Sequence, residues 1–410
     1  MLSDRFDSLD NSFTIIYFSN VSETTLLDGF ILEDGVANSN FLSSIKNNGG
    51  AIYNEGTGSG LSSNPTISNC IFRYNVASRG GAAIHNEGSA SGETNPLIFN
   101  CIFDDNRVVT DGGAIFNNGS NGGLASPTIE DCTFKNNFAQ RFGGAIYNAG
   151  DNGTASPLLD NCIFNNNFGD QSGGAVYSNG FQGRSNPKYL NCSFVSNRTN
   201  SNGGAVYHNG AFSGSDSSPQ LDGCSFINNE SVFNGGAVYN NGSADGRSSG
   251  RFENCSFSGN RAKNSFGGGG AIYNNGFDSG RCNPFFLSCS FFSNTADAAG
   301  GALYNYAFNA GTVNPAFKSC LFNNNVAGTG DGGAIASIGD KGVCDPLIDD
   351  CTFTGNAATG GSGGALFNSG VQGGRCNPIV TNTRFIENTA NFFSGASYNK
   401  ANGTVDGDGD

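Results

Sequence analysis

A unit of about 31 residues recurs eleven times along this 410-residue chain, and its internal spacing restricts the fold more than any other feature. All ten prolines fall in one slot of the unit, from Pro65 to Pro378, and Gly250 stands where one repeat lacks it. Five residues after the slot comes cysteine, from Cys70 to Cys351, with Thr383 in the last repeat. Two residues further is phenylalanine in every repeat (Phe72 to Phe385), and three further is asparagine (Asn75 to Asn388). A short variable loop then leads to Gly-Gly-Ala, an aliphatic residue, an aromatic residue and Asn, as at Gly143 to Asn148. A fixed period of this length is the signature of a solenoid, in which each unit buries its apolar face against its neighbours.

Each unit holds three short strand-like pieces, such as Pro65-Thr-Ile-Ser68, Cys70-Ile-Phe72 and Ala51-Ile-Tyr53, separated by Asn, Gly and Ser. These are turn residues. Three strands and three turns close one coil, and stacked coils place like strands in parallel, ~4.8 Å apart. The fold expected is therefore all-β: a right-handed, single-stranded parallel β-helix of about eleven full coils with three strands per coil. Strand side chains alternate between faces. The residue two after Pro is always apolar, and Cys and Phe share one parity, so both point inward; the residue between them varies (Ile71, Thr133, Ser193, Arg384) and points out. The Asn after each Phe is expected to form an internal amide ladder that satisfies a coil corner. Gly-Gly-Ala permits tight backbone at the next corner. In the third strand Ile52 and its equivalents read as inward. That leaves Tyr147, Tyr177, Tyr207, Tyr239, Tyr273 and Tyr304 as an outward, exposed aromatic stripe; the opposite parity would bury them.

Three segments follow: a diverged first coil at 1–48, the regular repeats at 49–399 and a Gly/Asp-rich tail at 400–410. Thr25 to Leu32 matches Pro65 to Phe72 with Phe30 in the cysteine slot, and Phe13 to Phe18 reads as the last strand of a preceding coil. No cap and no signal peptide are visible, so the chain is expected to be a piece of a longer exported precursor.

Gly-Gly-Ala-Ile alternating with Phe-x-x-Asn, as at Gly143 to Ile146 and Phe72 to Asn75, resembles the repeats of chlamydial polymorphic outer membrane proteins. The "Leu-Asp-Gly-Phe" of Leu27 to Phe30 is similar to the first coils of secreted bacterial β-helix proteins. The resemblance spans about residues 25 to 399 and implies a surface-displayed or secreted bacterial protein, often the passenger of an adhesin. The chain departs from the chlamydial pattern in lacking a C-terminal membrane barrel, which puts autotransport in doubt.

A net charge of −14 argues against nucleic acid as a partner, because such binding needs a basic surface. No apolar run is long enough for a transmembrane helix. The ladder cysteines read as buried, reduced thiols, since parallel side chains one coil apart are badly placed to bond. Cys282, Cys344 and Cys376 lie off that ladder, two before a Pro, and Cys344 with Cys376 is the one candidate disulfide. Carboxylates recur before the cysteine slot (Asp131, Asp160, Asp222, Asp350), where solvent exposure explains them as well as a lyase or hydrolase centre would. The two histidines, His85 and His208, sit in ordinary repeat positions. No catalytic residue is assigned. A basic stripe, Arg184, Arg247, Arg281, Lys341 and Arg375, follows Gly in the loop before Pro; with the tyrosines it could grip a glycan, against the plainer reading of solvated loop charges. Asp406, Asp408 and Asp410 alternate with Gly like the opening of a Ca²⁺ loop, or form an acidic tail; no other cofactor is expected.

The function expected is that of a non-catalytic surface or secreted β-helix, an adhesin or scaffold meeting polysaccharide or a host or matrix surface. The alternative is a polysaccharide-degrading lyase or hydrolase, which should gather unusual polar residues on two or three neighbouring coils. The irregular stretch from Asn264 to Gly270 is the nearest to that, and it is poor in acids.

Overall fold

The computed structural model describes residues 13–38, 45–263, 265 and 267–400. Four parallel sheets run its whole length, one of thirteen strands and three of twelve, and each coil contributes one strand to each sheet. Among the described residues there is no α-helix, only a single 3-10 turn at Ile45–Asn47. The coil of Pro65 shows the plan. Thr66–Ser68 belongs to the proline sheet, Ile71–Arg73 to the phenylalanine sheet, Val76–Ala77 to a narrow sheet, and Ile84–Glu87 to the tyrosine sheet. Register is uniform: Phe72 pairs with Phe103, and Phe103 with Phe134. The diverged first coil joins it in step, with Leu32 opposite Phe72 and Ile16–Ser19 opposite Ile52–Glu55. Phe30, in the cysteine slot of that coil, is 56% exposed where Cys70 is buried.

The parallel β-solenoid expected from the repeat is present, but each coil has four strands rather than three. The fourth has two residues, too short for alternation to be read in sequence. Its second residue faces inward and is small, as with Ala77, Ala139 and Ser231, all fully buried.

The corners explain the turn residues. The residue before each cysteine takes the left-handed conformation (Asn69 φ 53°, Asp131 φ 51°), and so does the residue before each ladder Asn (Asn136 φ 57°, Asn324 φ 54°). Asn, Asp and Gly tolerate that region best. Backbone geometry therefore adds a second reason, besides exposure, for Asp131 and Asp350 at that slot. The two glycines of Gly-Gly-Ala answer to different demands. Gly143 has φ +65°, whereas a Cβ on Gly144 would lie 2.1 Å from the Gly174 carbonyl oxygen of the next coil.

Inside, the phenylalanines form one continuous stack; Phe103 and Phe134 have centroids 4.6 Å apart at 4°, and Phe322 and Phe353 4.5 Å apart at 2°. The asparagine ladder is saturated. Asn106 Nδ2 donates to Asn137 Oδ1 (3.0 Å) and to the Phe72 carbonyl (2.9 Å), and its backbone N–H donates to the same Asn137 Oδ1 (3.1 Å). Ile52 and its equivalents face inward as expected. A second ladder that the sequence reading did not anticipate runs beside them in the tyrosine sheet, where Asn117 Nδ2 donates to Asn148 Oδ1 at 2.8 Å.

All thirteen cysteines are free thiols, and twelve are buried. Cys132 Sγ donates to the Glu130 carbonyl at 3.1 Å. The position two before Pro is not an open loop but another inward column. Cys282 and Cys344 pack there with Ala307 and Val313, with Cys376 against them, and Ser217 and Ser248 occupy the same column in earlier coils. Cys344 and Cys376 stand one coil apart in that column and are free thiols in the structure.

Candidate ligand-binding face

The tyrosine column lies on the outer side of its sheet, but it is not the exposed stripe expected from sequence. The rings stack on one another, Tyr177 on Tyr207 at 4.8 Å and Tyr239 on Tyr273 at 5.0 Å, and their faces are used up. Tyr177, Tyr239 and Tyr273 are less than a tenth exposed, and Tyr147, Tyr207 and Tyr304 are half-buried. The cover is the loop just before Gly-Gly. It forms its own column of parallel bridges (Phe142 to Ser172 to Asn202), and Phe142 packs 4.6 Å from the Tyr177 ring. Burial pushes the phenols of Tyr147, Tyr177 and Tyr273 well above the usual tyrosine range. These rings hold the coils together and offer no face to a sugar.

Two rings that reach solvent lie one loop further on, after Asn-Gly. Phe212 is 54% exposed and Phe277 38%. Phe181 meets Phe212 edge-on at 5.5 Å, and Phe277 stacks on Phe308 at 4.6 Å. The signal in sequence was an aromatic inside a Gly-bounded loop, as in Gly276-Phe-Asp-Ser-Gly280, outside the repeat consensus.

The same loops carry the basic column. Arg184, Asp216, Arg247, Arg281 and Thr312 succeed one another by parallel bridges, and Arg375 follows Val343 further along. Lys341 is not part of it; Val343 takes that step, and Lys341 bridges antiparallel to Phe308. Arg375 is engaged by Asp345, at 2.6 Å. Arg247 and Arg281 are adjacent, both exposed, and among the described residues neither has an ion-pair partner. They open onto a recess of about 410 Å³, which Ser249, Gly250, Arg251, Asn283 and Phe285 also line. Arg251 pairs with Glu253 and lies over the Phe285 ring, 4.8 Å from its centroid.

A second cleft, of about 300 Å³, lies between the coils of His85 and Arg141. His85 replaces a tyrosine in the stack, 5.1 Å from Tyr53 and 5.0 Å from Phe116. Its Nε2 lies 3.0 Å from Glu87 Oε2, and its Nδ1 3.3 Å from the Gly80 carbonyl. Burial pushes the Glu87 carboxyl up, but the hydrogen bond and charge of His85 and hydrogen bonds from the Ser89 and Asn118 side chains outweigh it and hold the group at about 2. Burial raises Asp111 to about 6, against the pull of Arg141 at 3.7 Å and the Phe142 N–H. Two carboxyls with separated ionisation are what acid–base chemistry uses. Glu87, however, is saturated: Asn118 Nδ2 bonds both of its oxygens, at 2.8 and 2.9 Å, beside the histidine. The sequence reading passed over this cluster because His85 and Glu87 each look like ordinary drift within their columns.

Asp406, Asp408 and Asp410, the candidate Ca²⁺ ligands, lie outside the described residues, as do Asn264 and Phe266 of the irregular stretch. Among the described residues no group of three His, Cys, Asp or Glu side chains is placed to hold a metal ion. No helix among them is long and apolar enough to cross a membrane.

The class defined is thus a long parallel β-solenoid with a laddered interior and variable loops. Four segments, residues 100–118, 131–149, 288–306 and 319–338, match the Chlamydia polymorphic membrane protein repeat family, together well under half the chain. Each runs from the phenylalanine sheet through the corner ladder into the tyrosine sheet. No curated protein and no solved structure matches the chain.

Proposed function

We propose that this chain is the repetitive, non-catalytic body of a surface-displayed or secreted bacterial protein, an adhesin or matrix scaffold. The observation that carries the reading is the ladder character of the polar residues: the corner Asn and the ladder Cys recur coil after coil and, with Ser217 and Ser248, bond to a neighbouring coil. The four family matches support display at an outer surface, since they fall in repeats of proteins named for a membrane. Stacking as the purpose of these residues leaves the loop face as the part free to differ from coil to coil, and partners are expected there.

Two assays test this. Immunolabelling of intact cells of the source organism should detect the chain without permeabilisation; labelling only after lysis contradicts display. Acidic and neutral polysaccharides incubated with the protein, with and without Ca²⁺, should release no new reducing or unsaturated ends. The His85 cleft is where the enzymatic alternative would have to sit. Cleavage abolished by Glu87→Gln or Asp111→Asn would establish that alternative and overturn the non-catalytic reading.

A further inference from the structure

We propose that the recess at Gly250 is a binding site for an acidic polysaccharide, gripping a carboxylate or sulfate group of the sugar between Arg247 and Arg281. The inference rests on the surface reading above and names the chemistry of one site on it.

Three observations converge on that recess. The first is charge. In a chain of net charge −14, two guanidinium groups stand one coil apart in bridge register, ~4.8 Å between their backbones. Their backbones are one coil step apart, and among the described residues neither guanidinium makes an ion pair. Asp216 bridges to Arg247 on the other side, and its oxygens accept from Asn186 (3.1 Å) and from the Ser218 hydroxyl (2.5 Å) rather than from an arginine. The other arginines with ion pairs show the contrast: Arg261 is neutralised by Asp297, and Arg375 by Asp345. A bound anion is the group that would complete the pair, and guanidinium forks match carboxylate and sulfate oxygens two at a time.

The second observation is shape. Every other repeat fills the slot with a proline ring, and the neighbours Pro219 and Pro284 are buried. Gly250 leaves that ring out, and the recess is lined by this glycine. The backbone does not require glycine here. Gly250 does not have a positive φ, and a Cβ on it would come 3.0 Å from Pro219 Cγ, a tight contact that a shift of a few tenths of an ångström relieves. The missing ring coincides with the unpaired arginines and occurs in no other repeat.

The third is what surrounds it. Ser249, Asn283 and Phe285 line it, and Arg251 lies over the Phe285 ring. Phe277, in the Arg281 loop, and Phe212, in the loop two coils before, expose rings on this side. A charged pair with hydroxyl and amide partners, flanked by aromatic rings, is a carbohydrate-type surface. Adjacent coils repeat at a spacing close to that of a sugar residue, so a chain laid along the column can meet more than one step of it.

The test is isothermal titration of the full chain with three soluble oligosaccharides of equal length: an oligouronate, a sulfated oligosaccharide and a neutral one. Binding of at least one acidic ligand is expected, with none of the neutral, and with affinity falling as salt rises. Which acidic ligand binds tells carboxylate from sulfate. R247Q/R281Q should weaken binding at least tenfold, and Gly250→Pro, which restores the repeat consensus and fills the recess, should do the same. Arg375→Gln, at an arginine already paired, should leave it unchanged. Circular dichroism confirms that each variant is folded, and Gly250→Pro keeps both charges, so its loss reports shape alone. No binding of either acidic ligand, equal binding of the neutral one, or unchanged affinity in R247Q/R281Q overturns the proposal. Absence of binding would leave the surface reading standing, whereas cleavage of the oligosaccharides would overturn that reading and not this site.

Discussion

His208 occupies a step of the second asparagine ladder, between Ser178 and Asn240. It breaks the chain of amides: both of its ring nitrogens and Asn240 Oδ1 are buried without a partner. Burial holds the imidazole neutral down to about 3, against an ordinary value of 6.5. Protonation therefore favours the unfolded chain. The stability tied to this residue is full above 6.5 and is lost as pH falls towards 3, at ~1.4 kcal/mol per pH unit. His208→Asn should restore the ladder. It is expected to raise the urea midpoint at pH 7, by the equivalent of ~1 kcal/mol, and to raise it further at pH 4.5. An unchanged pH dependence would contradict the assignment. The stacked rings give the opposite case. Phe226 lies 4.7 Å from Phe194 and 4.8 Å from Phe257, fully buried, and Phe226→Ala should cost ~3–5 kcal/mol in the same measurement. Both columns of inward residues flanking the corner, Phe and Asn, were legible because they never vary. The tyrosine column was legible in direction but not in exposure. Parity says which side of a sheet a ring is on, and only the loop that folds back, carrying Phe142, says whether that side is covered.

At the scale of the coil, stability comes from each turn fitting the next. Gly144 is one strict point, because any side chain would collide with the Gly174 carbonyl. Gly144→Ala should lower the thermal midpoint by several degrees, whereas the same change at Gly60, where nothing lies within 4 Å of the added carbon, is limited to the strain of its φ of +77°. Thiol chemistry reports the same packing. With twelve cysteines buried and Cys376 half-buried, Ellman's reagent should find at most one reactive thiol in the native protein and thirteen after denaturation. Rapid reaction of several would show that the cysteine columns are open. The strands around proline and phenylalanine could be read from sequence because alternation spans three residues. The two-residue strand at Val76–Ala77 and the Ser/Cys column two before Pro could not, since a single inward residue has no pattern and accepts Ala, Ser, Val or Cys alike.

Across the whole molecule, regularity and exception separate cleanly. The interior repeats with little change from Leu32 to Phe385, and that explains why most conspicuous residues are spent on stacking. The exceptions gather at the loops: the His85 cleft, the exposed Phe212 and Phe277, and the recess where Gly250 replaces proline. Sequence named Arg247 and Arg281, and the structure supplies what separates them from Arg375: the Asp345 carboxylate of the preceding coil, which pairs with Arg375. All of this depends on one repeat forming one coil in parallel register. Spin labels on the outward position of the phenylalanine sheet test that directly, in a Cys376→Ser background where the remaining native thiols are buried. Thr133 and Ser290 are five steps apart in the same column, and Thr133 and Thr352 seven. Pulsed electron resonance should give distances near ~24 Å and ~34 Å, a constant ~4.8 Å per coil. Distances that fail to grow in that proportion would contradict the solenoid and everything argued from it.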